Sequence, residues 1–361
     1  MNRWPDRRLT DLLGVEHPIL LAPMAGPGGP DLAIAVGQAG GLAALPCAML
    51  TPEGVSAAVR QVRAAVSGPL NLNFFCHTPP AADPERERAW RARLAPFYAE
   101  WGLDPGTSVP FISRAPFDDA FCAVIEAERP EVVSFHFGLP APALMDRAKG
   151  AGAKILASAT TVAEALWLEA RGCDAIIAQG AEAGGHRGNF LADDMNRQVG
   201  LFALAPQIVD AVSVPVIAAG AIADARGIRA ALALGAAGVQ IGTAYLLTPE
   251  ALTSPAHRAA LLAAADDGSA LTNLFTGRPA RGLIGRLMRE IGPISDDAPA
   301  FPLAGGALAP LRAKAEAAGV TDFTNQWSGQ ASQLAKAEPA GDLTRRWAEE
   351  VLASLAPISS R

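Results

Sequence analysis

The amino-acid sequence predicts a (β/α)8 TIM barrel with a small appended subdomain and a lid insertion after the third strand. Short apolar runs of strand length recur eight times, and turn residues bound each run. An alanine-rich amphipathic segment follows most of them, as in parallel strands that alternate with helices. Most runs are almost entirely apolar, which is typical of strands covered on both faces. A length of 361 residues suits one barrel with an appendage.

The eight strands are expected in chain order at residues 18–24, 41–46, 70–75, 131–137, 154–158, 174–179, 214–219 and 238–242. Helices are expected between them, for example at 51–66, 140–150, 161–171 and 224–235, and a last helix at 341–355 should return onto the barrel. An open doubly wound sheet is the competing architecture. That fold usually has fewer units and carries its nucleotide fingerprint after the first strand, where this chain has AGPGGPD. The strand count therefore favours the barrel.

Two connections are too long for simple turns. Residues 76–129, between the third and fourth strands, contain a charged helix and a second helix at 116–128, and are predicted to cover the barrel mouth. Residues 180–198, after the sixth strand, are glycine-rich and polar, as expected of a functional loop. We expect the barrel at residues 1–250 and 335–361, with the lid insertion at about 76–129, and a substrate-side subdomain at 251–334.

Composition argues against several classes of protein. Half of the residues are hydrophobic and 18% are charged, which favours a folded core. The net charge of −6 is spread without a basic stripe, so no nucleic-acid partner is expected. The chain lacks C-x-x-C pairs, an apolar leader and runs long enough to span a bilayer. These features predict a cytoplasmic protein without structural disulfides, bound metal or membrane insertion. A monomer and a homodimer are both compatible with the sequence.

The loops after the seventh and eighth strands carry the features of a phosphate site. In barrels of this kind these loops usually hold the phosphate of a cofactor on backbone N–H groups. Gly220 permits close backbone approach in the first loop, and Gly242 and Thr243 offer amides and a hydroxyl in the second. Tight turns would also explain the glycines, but both loops carry the feature in the right order, which favours phosphate binding.

Residues at three other strand ends suit a flat cofactor ring. Met24 is a candidate to lie against the face of an isoalloxazine ring. The side-chain amides of Asn73 and Gln179 are candidate hydrogen-bond partners for the edge of that ring. Met24 alone would be better explained as core packing. Buried strand amides are costly unless they find partners, which favours the ligand interpretation for the set. Together with the phosphate loops, these residues predict bound FMN.

The strongest catalytic candidate is His186, in the segment GAEAGGHRGNF just beyond the sixth strand. A histidine suits a general base at neutral pH, because its unperturbed pKa is about 6.5. The surrounding glycines predict a flexible loop over the barrel mouth. The adjacent Arg187 either attracts an anion or is a solvated charge. His136, in the fourth strand, is a tentative substrate contact that could equally point into the wall.

Taken together, these segments resemble the nitronate monooxygenase family, formerly called 2-nitropropane dioxygenases, over nearly the whole chain. The resemblance rests on HPILLAPMAG, NLNFFCH, SFHFGLP, AQGAEAGGHRG, PVIAAGAI, GVQIGTAYL, LTNLFTGRPARGL and FTNQWSGQ. The middle motifs are also similar to flavin-dependent enoyl-acyl-carrier-protein reductases. The pair NFFCH and SFHFGLP, with the late WSGQ, favours the monooxygenase.

The resemblance implies noncovalent FMN and oxidation of alkyl nitronates by O2 to carbonyl compounds and nitrite, with propionate 3-nitronate as a common substrate. It implies that His186 is the catalytic residue and would remove the α-proton of a neutral nitroalkane. The residues expected to hold FMN are Met24, Asn73, Gln179, Gly184, Gly185, Gly220, Gln240, Gly242 and Thr243. The chain departs from the family at Ala221, where a second glycine is common. The rival hypotheses are an NAD(P)H-dependent FMN reductase, acting on an enoyl-acyl-carrier-protein or a quinone, and a non-catalytic flavin-binding barrel.

Overall fold

The computed structural model describes residues 4–107 and 114–355. Within these ranges the strands are β1 (Ile19–Leu21), β2 (Ala43–Pro46), β3 (Leu70–Phe75), β4 (Val132–His136), β5 (Lys154–Ala159), β6 (Ala175–Gln179), β7 (Gly185–His186), β8 (Val216–Ala219), β9 (Gly238–Ile241), β10 (Ser269–Thr272) and β11 (Ala280–Leu283).

The barrel predicted from the sequence is confirmed. In the described residues, eight parallel strands pair in the order β1-β9-β8-β6-β5-β4-β3-β2. The ring closes between β1 and β2, where Leu20 lies opposite Leu42 in a parallel bridge. Each of the eight predicted apolar runs overlaps one of these strands, and β5 extends one residue beyond its predicted run. The strands are buried on both faces, as their continuous apolar pattern requires.

The helices of the described ranges are α1 (Arg8–Leu13), α2 (Pro30–Gln38), α3 (Pro52–Arg63), α4 (Pro84–Glu100), α5 (Asp119–Glu128), α6 (Pro142–Gly150), α7 (Val162–Glu169), α8 (Leu201–Ala211), α9 (Ala225–Ala233), α10 (Pro255–Ala263), α11 (Arg286–Ile291), α12 (Ala304–Ala317) and α13 (Ala340–Leu355). Side-chain caps fix several helix starts. Asp224 accepts hydrogen bonds from the backbone N–H groups of Arg226 and Gly227, and so begins α9 at the predicted residue.

One end of the barrel is sealed by the N-terminal helix. Leu9 and Leu13 of α1 pack against the lower interior side chains of the strands, including Leu20, Leu156 and Ile217. A polar ligand therefore cannot enter from this end. The opposite end, where the strands terminate, carries the long connections and is where barrels of this type place their sites.

The long insertion after β3 divides between two locations. Its second helix, α5, packs between α3 and α6 and belongs to the outer ring of the barrel. Its first helix, α4, packs against α12, and the two share a hydrophobic cluster that includes Trp90, Phe97 and Leu311. The insertion and the segment after residue 250 are thus joined in one body beside the barrel. That this body is a lid remains a prediction.

A small second sheet was not expected from the sequence. β11 pairs antiparallel with both β10 and β7, and in the second pairing Ala280 lies opposite His186. The last helix, α13, returns onto the barrel as predicted. The hydroxyl of Thr344 on this helix is joined to the hydroxyl of Tyr245 by a hydrogen bond of 2.6 Å. No helix among the described residues is long and apolar enough to cross a membrane.

Candidate active site

A cavity of about 730 Å³ opens at the carboxyl ends of the strands. This volume lies within the range of about 300–1,000 Å³ that is usual for ligand sites. The site residues named from the sequence all lie in its wall: Met24, Asn73, His136, Gln179, Gly184, Gly185, His186, Gly220, Gln240, Gly242 and Thr243. Parallel strands bring their carboxyl ends to one rim, so residues distant in sequence meet here.

The predicted phosphate loops lie side by side after the adjacent strands β8 and β9. Gly220 has a φ of +129°, which favours glycine. A side chain at Gly242 would meet Ala22 Cβ at 3.2 Å and Met24 Sδ at 3.5 Å, so the absence of one keeps the backbone open to the cavity. Thr243 Oγ1 accepts a hydrogen bond from Gly329 N–H at 2.9 Å. This bond fixes the loop after β9 against the late segment WSGQ, residues 327–330.

Ala221 has a left-handed backbone, with a φ of +53°. This conformation costs an L-residue roughly 1–2 kcal/mol, so a glycine at this position would be unstrained. We expect Ala221→Gly to leave stability unchanged or raise it by up to about 1 kcal/mol, after the greater entropy of unfolded glycine is subtracted. Ala230→Gly, on the exposed face of α9, is the matched control and should cost about 1 kcal/mol. Urea unfolding measures the stability of both variants. Equal losses of stability in the two would contradict backbone strain at Ala221.

The side-chain amides in the cavity wall are partly satisfied by protein. Both N–H bonds of Asn73 are directed to Ser134, through its backbone O and its Oγ, which leaves the Asn73 carbonyl for a ligand. Gln179 donates to His186 O at 2.9 Å and accepts from Gly188 N–H at 2.7 Å, so it holds the histidine loop. Gln240 Oε1 is buried without a hydrogen-bond partner. An unpaired buried acceptor is costly, and a cofactor N–H or O–H directed at it would remove that cost.

The two glycines before His186 have different roles. A side chain at Gly184 would meet the backbone of Ser328 and Gly329 at 2.5–2.7 Å, so this position is required for close packing of the late segment. Gly185 has a φ of +72°, and a side chain there would meet nothing within 4 Å. The first glycine is thus constrained by space and the second by backbone conformation.

The loop that carries His186 is held in place rather than flexible as the glycines suggested. Residues Gly185 and His186 form β7 and pair with β11. The carbonyl O of His186 also accepts hydrogen bonds from Gln179 Nε2 at 2.9 Å and His136 Nε2 at 3.1 Å. These bonds come from three separate segments of the chain, which fixes the position of the imidazole.

His136 is fully engaged within the protein. Its Nε2 donates to the carbonyl of His186, so its Nδ1 is the acceptor for the hydroxyl of Ser158 at 3.0 Å. Burial lowers the pKa of His136 to about 4, and the nearby charges of Arg278 and Arg187 act in the same direction. The ring is therefore neutral at pH 7. That it touches substrate remains a prediction, but the bonds indicate a positioning residue.

The imidazole of His186 is oriented by Thr276, at 2.9 Å between Nε2 and Oγ1. The threonine hydroxyl donates its single hydrogen to Arg278 O at 3.3 Å, so its oxygen accepts from Nε2–H. The neutral ring then has an unprotonated Nδ1, which has no hydrogen-bond partner in the described part of the chain. Burial lowers the pKa of His186 well below its ordinary value, and the charge of Arg114 is the next cause. His186 is therefore in the form that can accept a proton.

Arg187 neither faces the cavity nor is solvated, which corrects both interpretations made from the sequence. Its side chain is fully buried. It donates to Gln198 Oε1 at 2.8 Å, Gly180 O at 2.6 Å and Gln179 O at 2.8 Å. Burial lowers its pKa to about 10, so it is still charged at neutral pH. Arg187 therefore holds Gln179 and Gly180, at the start of the loop after β6, close to Gln198 at the end of that loop.

The cavity wall also contains residues that sequence reasoning missed, among them Arg114, Thr276 and Arg312. Thr276 lies in the TGRPARG segment that carries the resemblance, and its distance of 90 positions from His186 concealed the contact. The two arginines lie in the insertion and in the appended segment, where periodicity gives no information about the cavity.

Comparisons with known proteins agree on one family. A family model described as nitronate monooxygenase matches residues 6–350. The chain is 42% identical to nitronate monooxygenase of Pseudomonas aeruginosa over 346 residues, covering 95% of this chain and 99% of that one. It is 40% identical to the Paraburkholderia phytofirmans nitronate monooxygenase over 351 residues, with 97% and 96% covered.

Two solved structures align with almost the whole chain. Nitroalkane oxidase from Streptomyces ansochromogenes aligns with a TM-score of 0.87 and 38% identity, over 96% of this chain and 98% of that one. FabK from Thermotoga maritima aligns with a TM-score of 0.72 and 27% identity, over 96% of each chain. The chain is thus more similar to the first protein than to the second.

Proposed function

Since this chain belongs to the nitronate monooxygenase family, a family of oxidoreductases, we propose that it binds FMN and oxidises alkyl nitronates with O2 to carbonyl compounds and nitrite. The observation that carries the proposal is the neutral, positioned imidazole of His186 in a cavity whose described lining residues include arginines but no acid. Such a site suits an anionic, electron-rich substrate.

The wall of the cavity supports FMN as the cofactor. Backbone amides after Gly220 and Gly242 would hold the phosphate, and the Met24 side chain would pack against the face of the isoalloxazine ring. The carbonyl of Asn73 and the unpaired Gln240 Oε1 would accept from N–H and O–H groups of the cofactor. When bound, FMN supplies the electron acceptor for the substrate and the donor to O2. The remaining chemistry belongs to the side chains around it.

Aromatic side chains exclude water from the substrate end of the cavity. The His186 ring centroid lies 5.4 Å from that of Phe301, 5.5 Å from Trp327, 5.9 Å from Phe137 and 6.1 Å from Phe75. In such surroundings the charge of Arg114 acts on a bound anion with little screening by water. The site would therefore concentrate nitronates without an acid or a metal ion.

A neutral nitroalkane needs one additional step, which we assign to His186. Nδ1 of the neutral ring takes the α-proton, while Nε2–H stays bound to Thr276. The positive charge of Arg114 stabilises the nitronate that forms. Thr276 and His136 act as positioning residues, since one fixes the tautomer of the ring and the other fixes its backbone. A preformed nitronate needs no such base.

The function is tested on the purified protein with three possible donors. We expect a yellow protein that consumes O2 and releases nitrite with propionate 3-nitronate, and that is not rapidly bleached by NADH or NADPH without oxygen. Fast bleaching by a reduced nicotinamide, together with no nitrite from the nitronate, would favour the reductase. A yellow protein that responds to none of the three would favour the non-catalytic barrel.

A further inference from the structure

Three side chains of the cavity wall each have a buried polar atom without a hydrogen-bond partner among residues 4–107 and 114–355. The atoms are Gln240 Oε1, Thr253 Oγ1 and His257 Nε2. Thr253 and His257 are more than nine-tenths buried, with exposed fractions of 6% and 7%. Gln240 was assigned to the cofactor from the sequence, whereas the other two residues were assigned no role. An unpaired polar atom in the interior is costly, so these atoms point to a ligand.

The backbone that carries Thr253 and His257 is held in place by other groups. Arg258 donates hydrogen bonds to four backbone carbonyls of residues 247–253, at 2.6–3.1 Å. The Ser254 hydroxyl begins α10 by accepting a hydrogen bond from the His257 N–H at 3.2 Å. None of these bonds uses Thr253 Oγ1 or His257 Nε2. The two unpaired atoms therefore stand on a fixed support, as expected of groups that bind a ligand.

The hydrogen-bonding character of the three atoms indicates the kind of ligand. Burial lowers the pKa of His257 to about 4, so its ring is neutral at pH 7, and the ring donates a hydrogen bond to the backbone of Trp327. Because Nε2 has no partner, Nδ1 is the nitrogen that donates, and Nε2 is left as an acceptor. Gln240 Oε1 is also an acceptor, and the Thr253 hydroxyl can both donate and accept. The set suits a ligand that carries several hydroxyl groups.

The segment WSGQ relates His257 to the rest of the cavity. At one end of this segment, the Trp327 ring centroid lies 5.5 Å from that of His186. Near its other end, Gly329 N–H donates to Thr243 Oγ1 in the predicted phosphate loop. The ring of His257 is bonded to the backbone of the same segment. A cofactor with its phosphate after β9 and its ring beside His186 would carry its linking chain past this part of the wall.

We propose that Thr253 Oγ1 and His257 Nε2 bind hydroxyl groups of the ribityl chain of FMN, beside the contact assigned to Gln240. The inference rests on the proposed function, because it takes FMN to occupy the cavity. The isoalloxazine ring carries a single N–H, and the ionised phosphate acts mainly as an acceptor. The ribityl chain is the part of FMN that offers several O–H donors to neighbouring acceptors. The appended segment after β9 would thus contribute directly to cofactor affinity.

The first test measures the affinity of the full-length apoprotein for FMN by the quenching of flavin fluorescence. Thr253→Val removes the hydroxyl at nearly constant shape, and His257→Phe removes the acceptor but keeps a flat ring. Each substitution is expected to lower FMN affinity by about three- to tenfold, the usual net contribution of one hydrogen bond. Thr78→Val is the matched control, because Thr78 is exposed, and should leave the affinity unchanged. Unchanged affinity in both cavity variants would overturn the proposal.

The stability of the apoprotein separates a cofactor contact from a purely structural role. Without FMN, the Thr253 hydroxyl is buried and unpaired, so Thr253→Val should leave the free energy of unfolding unchanged or raise it. A structural role, such as holding a buried water molecule, predicts the opposite. Lower stability of Thr253→Val in urea, together with normal FMN affinity, would therefore overturn the proposal.

An FMN analogue with a pentyl phosphate chain in place of ribityl phosphate identifies the part of the cofactor that is bound. The analogue keeps the ring and the phosphate but lacks the hydroxyl groups. The wild type should bind it more weakly than FMN by about tenfold or more, and the two cavity variants should show no further loss. Equal losses of affinity for the analogue and for FMN in the variants would refute a contact with the ribityl chain.

These binding measurements use no substrate, so they separate the inference from the proposed reaction. Weaker FMN binding by the two variants would stand even if nitronates were not oxidised. Normal oxidation of nitronates, with unchanged FMN affinity in the variants, would overturn the inference alone. An apoprotein that binds neither flavin would refute both.

Discussion

His186→Asn is expected to lower kcat/KM for neutral nitroethane by about 10²–10⁴-fold and that for preformed ethyl nitronate by less than about tenfold. The larger loss is the usual contribution of a general base. The asparagine keeps a polar side chain of similar reach toward Thr276 but cannot accept the α-proton. A nitronate has already lost this proton, so its oxidation depends on the cavity and the cofactor. O2 consumption with each substrate measures the two losses, and equal losses would contradict a base role.

The pH dependence gives a second test of the same base. Burial and the charge of Arg114 lower the pKa of His186, so the neutral form that accepts a proton persists below the ordinary titration range of histidine. Activity that depends on this form is lost only as the pH falls through the lowered pKa. We therefore expect kcat/KM for nitroethane to show no decrease between pH 8 and pH 6.5. A fall centred near 6.5 would show that the imidazole is not shielded as the structure indicates.

Arg187→Met is expected to lower the free energy of unfolding by about 3–5 kcal/mol, a loss typical of breaking a buried charged network. The methionine fills much of the same volume but removes the guanidinium that donates to the Gln179 carbonyl and to Gln198 Oε1, and it leaves the Gly180 carbonyl with only the N–H of Ala183. Unpaired acceptors in the interior are more costly than the lost bonds themselves. Thermal unfolding should show a Tm lower by about 4–7 °C, from the usual unfolding entropy per residue.

The matched control is Arg197→Met, because Arg197 is exposed in the same loop. Substitutions of this kind usually change stability by no more than about 0.5 kcal/mol. Similar small effects of both substitutions would mean that Arg187 does not hold the loop. Turnover of nitronate should also fall in Arg187→Met, since residues 179–188 position His186.

The sequence alone predicted the fold and a set of residues at the strand ends that lie in the cavity wall. Continuous apolar runs separated by amphipathic segments identify parallel strands, because a strand covered on both faces has no polar side to present to water. Once eight such strands are placed, closure brings their ends to one rim. For this reason Met24, Asn73, Gln179, Gly220 and Gly242 could be assigned to one site from their positions alone. Strand periodicity is local information, and it was sufficient for these residues.

The contacts that decide how the site works came only from the tertiary structure. The glycines around His186 suggested a flexible loop, but pairing with β11 holds it, and β11 lies more than 90 positions further along the chain. Arg187 looked like a surface charge, and its carbonyl partners became apparent only when the loop was folded.

The tautomer of His186 and the presence of Arg114 and Arg312 in the cavity wall likewise depend on segments that have no periodic signal linking them. Sequence patterns report which face of an element is buried. Only the packed chain decides which distant polar groups meet, because hydrogen bonds and charges act over a few ångströms in space whatever their separation in sequence.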